Sequence, residues 1–289
     1  MLLSGELDNK DGIVGSGSRA WNQVGAGIIL NPAYGTGAGQ STSVPQRLLY
    51  LSGVSQDNAG FGGIITTGPL KGITFGPGGV PYNFNYGPVA GTADMYGGDW
   101  RSTVFRDTRG NNLDDNEVRQ SLFARGSYQI TDNIEIFGQA AWNSVRTLIQ
   151  CCMQFNQANI SIKPDNAFLP ASVASQVAAL KLTSLTIGSW NADIPTIVTY
   201  NRRRVERFVV GADGKFDAFD SSWTWDAYFQ AGMSLSSSRV PYATMKSRFA
   251  LALDSVRAPN GTIVCRSTLT NPTNGCVPYN PFGIGVNSQ

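Results

Sequence analysis

The sequence has no histidine, which removes the commonest general base and the commonest metal ligand at once. Ser-His-Asp and Cys-His nucleophile systems are excluded with it. The residues that still carry chemical potential are carboxylates, glycine-rich turns, a basic run and four cysteines. Carboxylates and amides gather in DTRGNNLDDNE (residues 107–117), but Arg109 stands where a calcium loop needs a ligand oxygen, so a solvated loop is the better reading. Asp213 and Asp217 alternate with apolar residues and are read as lining a polar face, not as an acid/base couple. VGSGS (14–18) and GTGAGQ (35–40) have the look of phosphate-binding turns. Neither leads into a helix after a parallel strand, and neither carries the GK[ST] ending. Nothing in these spacings asks for catalysis, a cofactor or a metal.

The four cysteines are Cys151, Cys152, Cys265 and Cys276. Cys265 and Cys276 flank a loop rich in Pro, Asn and Gly, which suits a local disulfide formed in an oxidising space. Closing a loop of that size is worth roughly 2–3 kcal/mol. A ring between the neighbours Cys151 and Cys152 is strained, so these two are expected to pair elsewhere or to stay as thiols. With no His and no CxxC, zinc is not expected.

The elements that must hold these residues are strands. Charged residues are 15% of the chain, against about 25% in soluble domains. The formal net charge is only +2, which argues against a nucleic-acid partner held by phosphate contacts. In VRQSLFARGSYQI (118–130), Val118, Leu122, Ala124, Gly126, Tyr128 and Ile130 share one face, with Gln120 the exception. After a turn at Thr131, Asp132 and Asn133, a second strand puts Ile134, Ile136, Gly138, Ala140 and Trp142 on one face, while Phe123, Phe137 and Ala141 interrupt the polar pattern of the other. A second hairpin follows. Phe208, Val210, Ala212, Phe216 and Ala218 alternate with polar residues, a turn is expected at Asp220, Ser221 and Ser222, and Trp223, Trp225, Ala227, Phe229, Ala231, Met233 and Leu235 form the apolar face of the next strand. Period two over such lengths is a strand signal.

Short turns close one end of these hairpins, and connections of some fifty residues close the other. Residues 171–182 and 245–258 are expected as short helices within those connections. MLLSGEL reads as the end of a strand, followed by a turn over residues 8–17. Residues 20–30 read as a further strand, and residues 33–100 as one long, partly ordered loop. Connections this long count against a compact soluble domain, whereas outer-membrane barrels have short periplasmic turns, long extracellular loops, a lipid-facing apolar band and a polar lumen. The expected fold class is therefore all-β, as part of an antiparallel transmembrane β-barrel. Tyr128, Trp142, Phe216, Trp223, Trp225 and Phe229 are expected on its lipid face, several of them near the turns where aromatic girdles form. NRRRVER (201–207) stands at the long-loop end of a strand. Arg202, Arg203 and Arg204 attract an anionic ligand or lipid phosphates on one reading, and merely solvate the strand end on the other.

A family resemblance covers essentially the whole chain. FGPGGVPYNFNYGP, ITDNIEIFGQAAW, VVGADGKFDAF, SWTWDAYFQAG and IVCRSTLTNPTNGCVPYNPFGIG, in that order, are similar to the barrel of TonB-dependent outer-membrane receptors, nearest the subgroup abundant in sphingomonad-like bacteria. The resemblance implies a 22-stranded barrel closed by an N-terminal plug domain. It also implies import of a scarce ligand such as a siderophore, cobalamin or an oligosaccharide, driven by the TonB complex. Against that pattern, residues 1–289 are expected to be an internal piece of the barrel domain in the outer membrane, with the plug and the C-terminal strands lying outside them. Such a piece is not expected to transport alone. Its expected partners are outer-membrane lipid, the unidentified ligand and, through the missing parts, the plug and the TonB complex. Phe75 to Pro88 and the basic run are both candidates for the extracellular or lumenal, ligand-facing side. The rival expectation is a secreted or surface β-rich binding or adhesion module, whose strands would pack face to face in a sandwich.

Overall fold

A computed structural model describes residues 1–44, 46–90, 94–103 and 111–287. The described part is mainly antiparallel β-structure with two short α-helices, α1 (Ala171–Ala179) and α2 (Lys246–Leu253). The chain divides into two compact units.

The first unit comprises Met1–Val14, Asn112–Gln150 and Val198–Pro241. It is one antiparallel sheet of five strands in simple sequence order: β1 (Leu2–Lys10), β2 (Asn116–Thr131), β3 (Ile134–Gln150), β4 (Val198–Ala218) and β5 (Ser221–Arg239). β2 to β5 run for 16, 17, 21 and 19 residues, far beyond the usual 5–6. Two-residue turns join β2 to β3 and β4 to β5 at one end of the sheet. The chain leaves the sheet after β1, β3 and β5 at the other end.

Two details of this sheet differ from the sequence expectation. The second turn is Phe219 and Asp220, while Ser221 and Ser222 already pair with Ala218 and Asp217. Both turn residues have positive φ, 54° and 57°, the left-handed geometry whose twist matches that of the flanking strands. β1 also continues through Asp8 to Lys10 instead of turning there. Asp8 lies opposite Arg119 and Lys10 opposite Glu117, and opposite charges facing across a ladder favour pairing.

The second unit comprises Gly15–Asn111, Cys151–Ile197 and Tyr242–Gln289, as far as these are described. A small antiparallel sheet runs in the order Asn156–Ile162, Leu185–Ser189, Ile64–Ile65, Ile73–Phe75 and Pro81–Asn83. Its core takes Ile65 and Phe75 from the first segment, Ile160 and Ile187 from the second, and Leu253 and Phe282 from the third. α1 adds Val173 and Val177, four residues apart and therefore on one helix face. Residues 33–100 are thus not one partly ordered loop, and the strand expected over residues 20–30 is a 3₁₀ turn at Ala20–Val24 followed by Gly27–Leu30. The two expected helices are present in shorter form as α1 and α2.

Two clasps hold this unit. The Asp193 carboxylate accepts hydrogen bonds from the backbone N–H groups of Gly285, Val286 and Asn287 at 2.7, 2.9 and 3.0 Å, and from Asn287 Nδ2 at 3.0 Å. Burial pushes this carboxyl up, but the four donors outweigh it and hold it below its ordinary value. A carboxyl lowered in the folded state stabilises above its unfolded pKa, about 3.9, and loses that contribution as pH falls through the folded value. The second unit of the wild type is therefore expected to lose thermal stability as pH falls below about 4. Asp193→Asn is expected to be less stable at pH 6 and to show a flatter profile; an unchanged profile in a melting series would remove the clasp.

The other clasp is a disulfide. Cys265 and Cys276 are bonded, with Cα atoms 6.2 Å apart. Cys151 and Cys152 are bonded to each other, which overturns the expectation that they pair elsewhere or remain thiols. Cys265 and Cys276 already occupy each other, and the backbone around the neighbours is pinned. Cys151 N–H donates to Ile197 O at 3.0 Å, and Ile197 N–H donates to Cys152 O at 2.8 Å.

Candidate functional site: a sheet with one apolar and one polar face

Residues paired across an antiparallel ladder point to the same side of the sheet. The register therefore sorts every residue of β2 to β5. Tyr128, Ile136, Ala212 and Ala227 form one row, and Gly126, Gly138, Val210 and Phe229 the next. Ala124, Ala140, Phe208 and Ala231 follow, and Phe216 faces Trp223 near the second turn. All six aromatic residues singled out in the sequence, Tyr128, Trp142, Phe216, Trp223, Trp225 and Phe229, fall on this one face. It is open to the surroundings: Leu122 is 58% exposed, Val210 60% and Phe229 71%.

The apolar stretch runs from Ile134 to Trp142 on β3, from Phe208 to Phe216 on β4 and from Trp223 to Met233 on β5. A tilted strand needs about 9–11 residues to cross a bilayer, and each of these stretches has that length. Gly214 lets the Trp225 indole lie flat across β4: a Cβ there would come within 2.8 Å of Trp225 Nε1. Trp223 Nε1 in turn donates to Ala218 O at 3.2 Å, which satisfies its only polar atom at the turn end.

The opposite face is mostly polar, although Phe123, Phe137 and Tyr228 also lie on it. Gln129, Glu135, Asp213 and Asp226 form one row, and Arg125, Gln139, Val209 and Gln230 another. Arg207 donates to Gln230 Oε1 through Nη2 at 2.9 Å, and the Arg125 guanidinium stacks on the Phe137 ring at 4.6 Å. Asp213 and Asp226 face each other directly, and Asp217 accepts from the Ser222 hydroxyl.

The basic run divides between the faces. Arg202 and Arg204 lie on the side of the apolar band, just beyond its end, and Arg203 lies on the polar side opposite Val145 and Ser236. Arg204 pairs with Glu206 at 3.1 Å, while Arg202 lies directly opposite Arg146. Sequence reading took Arg202, Arg203 and Arg204 as one group and missed Arg146, which only the register brings beside Arg202. Phe75, the start of the candidate ligand-side loop, is buried at 1% exposure and meets the Phe282 ring edge-on. Of the carboxylate cluster at 107–117, residues 107–110 lie outside the described residues. Within the rest, Asp114 accepts from Lys10 at 2.6 Å and Glu117 from Arg119 at 2.9 Å.

Among the described residues, no group of three or more Cys, Asp or Glu is placed to hold a metal ion, and no helix is long and apolar enough to cross a membrane. The Asp57 carboxyl is held above its ordinary range: burial raises it first, Lys71 opposes that, and Asp94 adds to the rise. The Tyr86 phenol is pushed up to about 12 by burial and by Asp57. No family profile, curated protein or solved structure matches the chain.

Proposed function

We propose that the five-stranded sheet is a segment of a transmembrane β-barrel in an outer membrane, and that the chain is part of a receptor of the TonB-dependent kind. The observation that carries this reading is the apolar band: bilayer-length on three adjacent strands, continuous on one face, and backed by a mostly polar face. A soluble sheet of this width would have to cover Phe229, Val210 and Leu122 with a second layer. A barrel strand turns them to lipid and turns Gln139, Asp213 and Gln230 to a lumen. The end from which the long segments depart is then the extracellular one. Arg146 and Arg202, like charges directly opposite each other beyond the band, fit the level of lipid phosphates, whose anions would relieve their repulsion. Import of a scarce ligand rests on the sequence resemblance alone. It belongs to a complete barrel, since five strands leave two edges unpaired.

Brominated lipid tests the reading. The full chain, folded into vesicles whose acyl chains carry bromine, is expected to lose much of its tryptophan fluorescence. Trp142→Phe/Trp223→Phe/Trp225→Phe should remove the quenchable share and leave the emission of Trp21, Trp100 and Trp190. Full emission from the wild type in brominated vesicles would favour the sandwich-type binding module instead.

A further inference from the structure

The second unit contains a cleft of about 540 Å³, within the range of small-molecule sites. One wall is the edge strand Asn156–Ile162 and the residue that follows it. Asn159, Ser161 and Lys163 recur at every second position on that wall, while Ile160 and Ile162 are buried in the core. The other wall is α2. Lys246, Phe249, Ala250 and Leu253 stand at i, i+3, i+4 and i+7, which is one face of the helix. Both walls thus present a periodic face to the same space.

The polar groups left over in this cleft include several donors. Asp254 is the one carboxylate in its lining, and it is already engaged by Lys163 Nζ at 2.8 Å and by Arg266 Nε at 3.1 Å. Those bonds hold its carboxyl below the ordinary range against the upward push of burial. Arg266 is further neutralised by Asp165 at 2.7 Å. Asn159 Oδ1 accepts from Asn156 Nδ2 at 3.0 Å, so the amide nitrogen of Asn159 is the end still free to bond. Lys163 keeps two further protons, and Lys246 makes no ion pair among the described residues. The Phe249 ring, held against Tyr279 at 5.3 Å, supplies a fixed apolar patch between the two lysines' walls.

We propose that this cleft is a binding site for a small organic anion, with a carboxylate or phosphate held between Lys163 and Lys246 and an apolar body against Phe249 and Ala250. A neutral ligand of the same shape would forgo the charge-assisted bond to Lys246. The inference concerns a different surface from the apolar band and does not depend on the membrane reading.

The probe is 4-fluorobenzoate, followed by ¹⁹F line broadening on the full chain with its disulfides intact, with 4-fluorobenzyl alcohol as the neutral counterpart. The exposed apolar face of the sheet would take up either molecule, so the ratio between the two carries the result. Saturable binding of the acid is expected, at least about tenfold tighter than the alcohol, as one charge-assisted hydrogen bond provides. Lys246→Gln should erase that preference. Lys246→Arg should keep it, which separates loss of charge from loss of folding, and Lys181→Gln, a lysine outside the cleft lining, should leave it unchanged. Equal binding of acid and alcohol, an unaltered preference in Lys246→Gln, or no saturable broadening would each overturn the site.

Discussion

Phe229→Arg is expected to lower the stability of the vesicle-inserted chain by about 2–4 kcal/mol, the cost of an arginine near the middle of a barrel's lipid face. Phe229 stands near the centre of the β5 band, in the row with Val210, Gly138 and Gly126, so no neighbouring strand end lies within reach of the new guanidinium. The same change at Trp225, close to the turn, should cost less, because a long side chain there reaches the interface. Tyr228→Arg is the decisive control. Tyr228 is the adjacent residue and lies opposite Gly211 on the polar face, so the same charge one position away enters water instead of hydrocarbon. Urea titration of the chain folded into phosphatidylcholine vesicles reads both. A large drop for Phe229→Arg with a change within about 1 kcal/mol for Tyr228→Arg supports the facing. Equal losses would refute it. A large Phe229→Arg loss that persists without any vesicle would point to a sandwich.

The long strands were legible because period two repeats many times over. In β5 the alternation from Trp223 to Leu235 is unbroken, and no helical period fits it. The exact turn was not legible. Asp220, Ser221 and Ser222 have turn composition, yet the backbone reverses at Phe219 and Asp220, and phenylalanine is no turn signal. The second unit was hidden for a different reason. Its strands Ile64–Ile65, Ile73–Phe75 and Pro81–Asn83 are two or three residues long, too short for any periodicity to register. Its core is assembled from three segments separated by the strands of the other unit, so Phe75 meets Phe282 across more than two hundred residues.

The cleft follows the same logic. The alternation of Asn159, Ser161 and Lys163 is visible in the sequence, and so is the helical spacing of Lys246, Phe249 and Leu253. What the sequence does not contain is their juxtaposition, because the contacts that bring α2 to this strand are non-local. The basic run shows the reverse. Three consecutive arginines look like one patch, but in an extended strand consecutive side chains point to opposite faces. Arg203 therefore parts from Arg202 and Arg204, and Arg202 finds Arg146 instead.

Trp190→Ala is expected to destabilise the second unit by about 3–5 kcal/mol, the range for removing a large buried aromatic side chain. Trp190 is 1% exposed and packs on Ala59, with Phe61 and Met153 around it and the Phe155 ring 5.1 Å away. Its Nε1 donates to Thr103 Oγ1 at 3.1 Å, and Thr103 in turn donates to the Ala59 carbonyl, so the indole closes a chain of hydrogen bonds as well as filling space. Its backbone N–H donates to Gly60 O at 2.9 Å, next to the strand Leu185–Ser189 that carries Ile187 into the core. Amide hydrogen exchange should therefore quicken across residues 58–65 and 185–191, and protease should cut within Cys151–Ile197, while the apolar band keeps its lipid contact. That outcome and the Phe229→Arg result are opposite in kind: one loosens the unit built from the long connections and spares the inserted sheet, the other weakens the inserted sheet and spares that unit. If Trp190→Ala lowered the urea stability of the vesicle-inserted sheet as much as Phe229→Arg, the two units could not be treated as separate folding bodies. The second unit would then be part of what holds the sheet together.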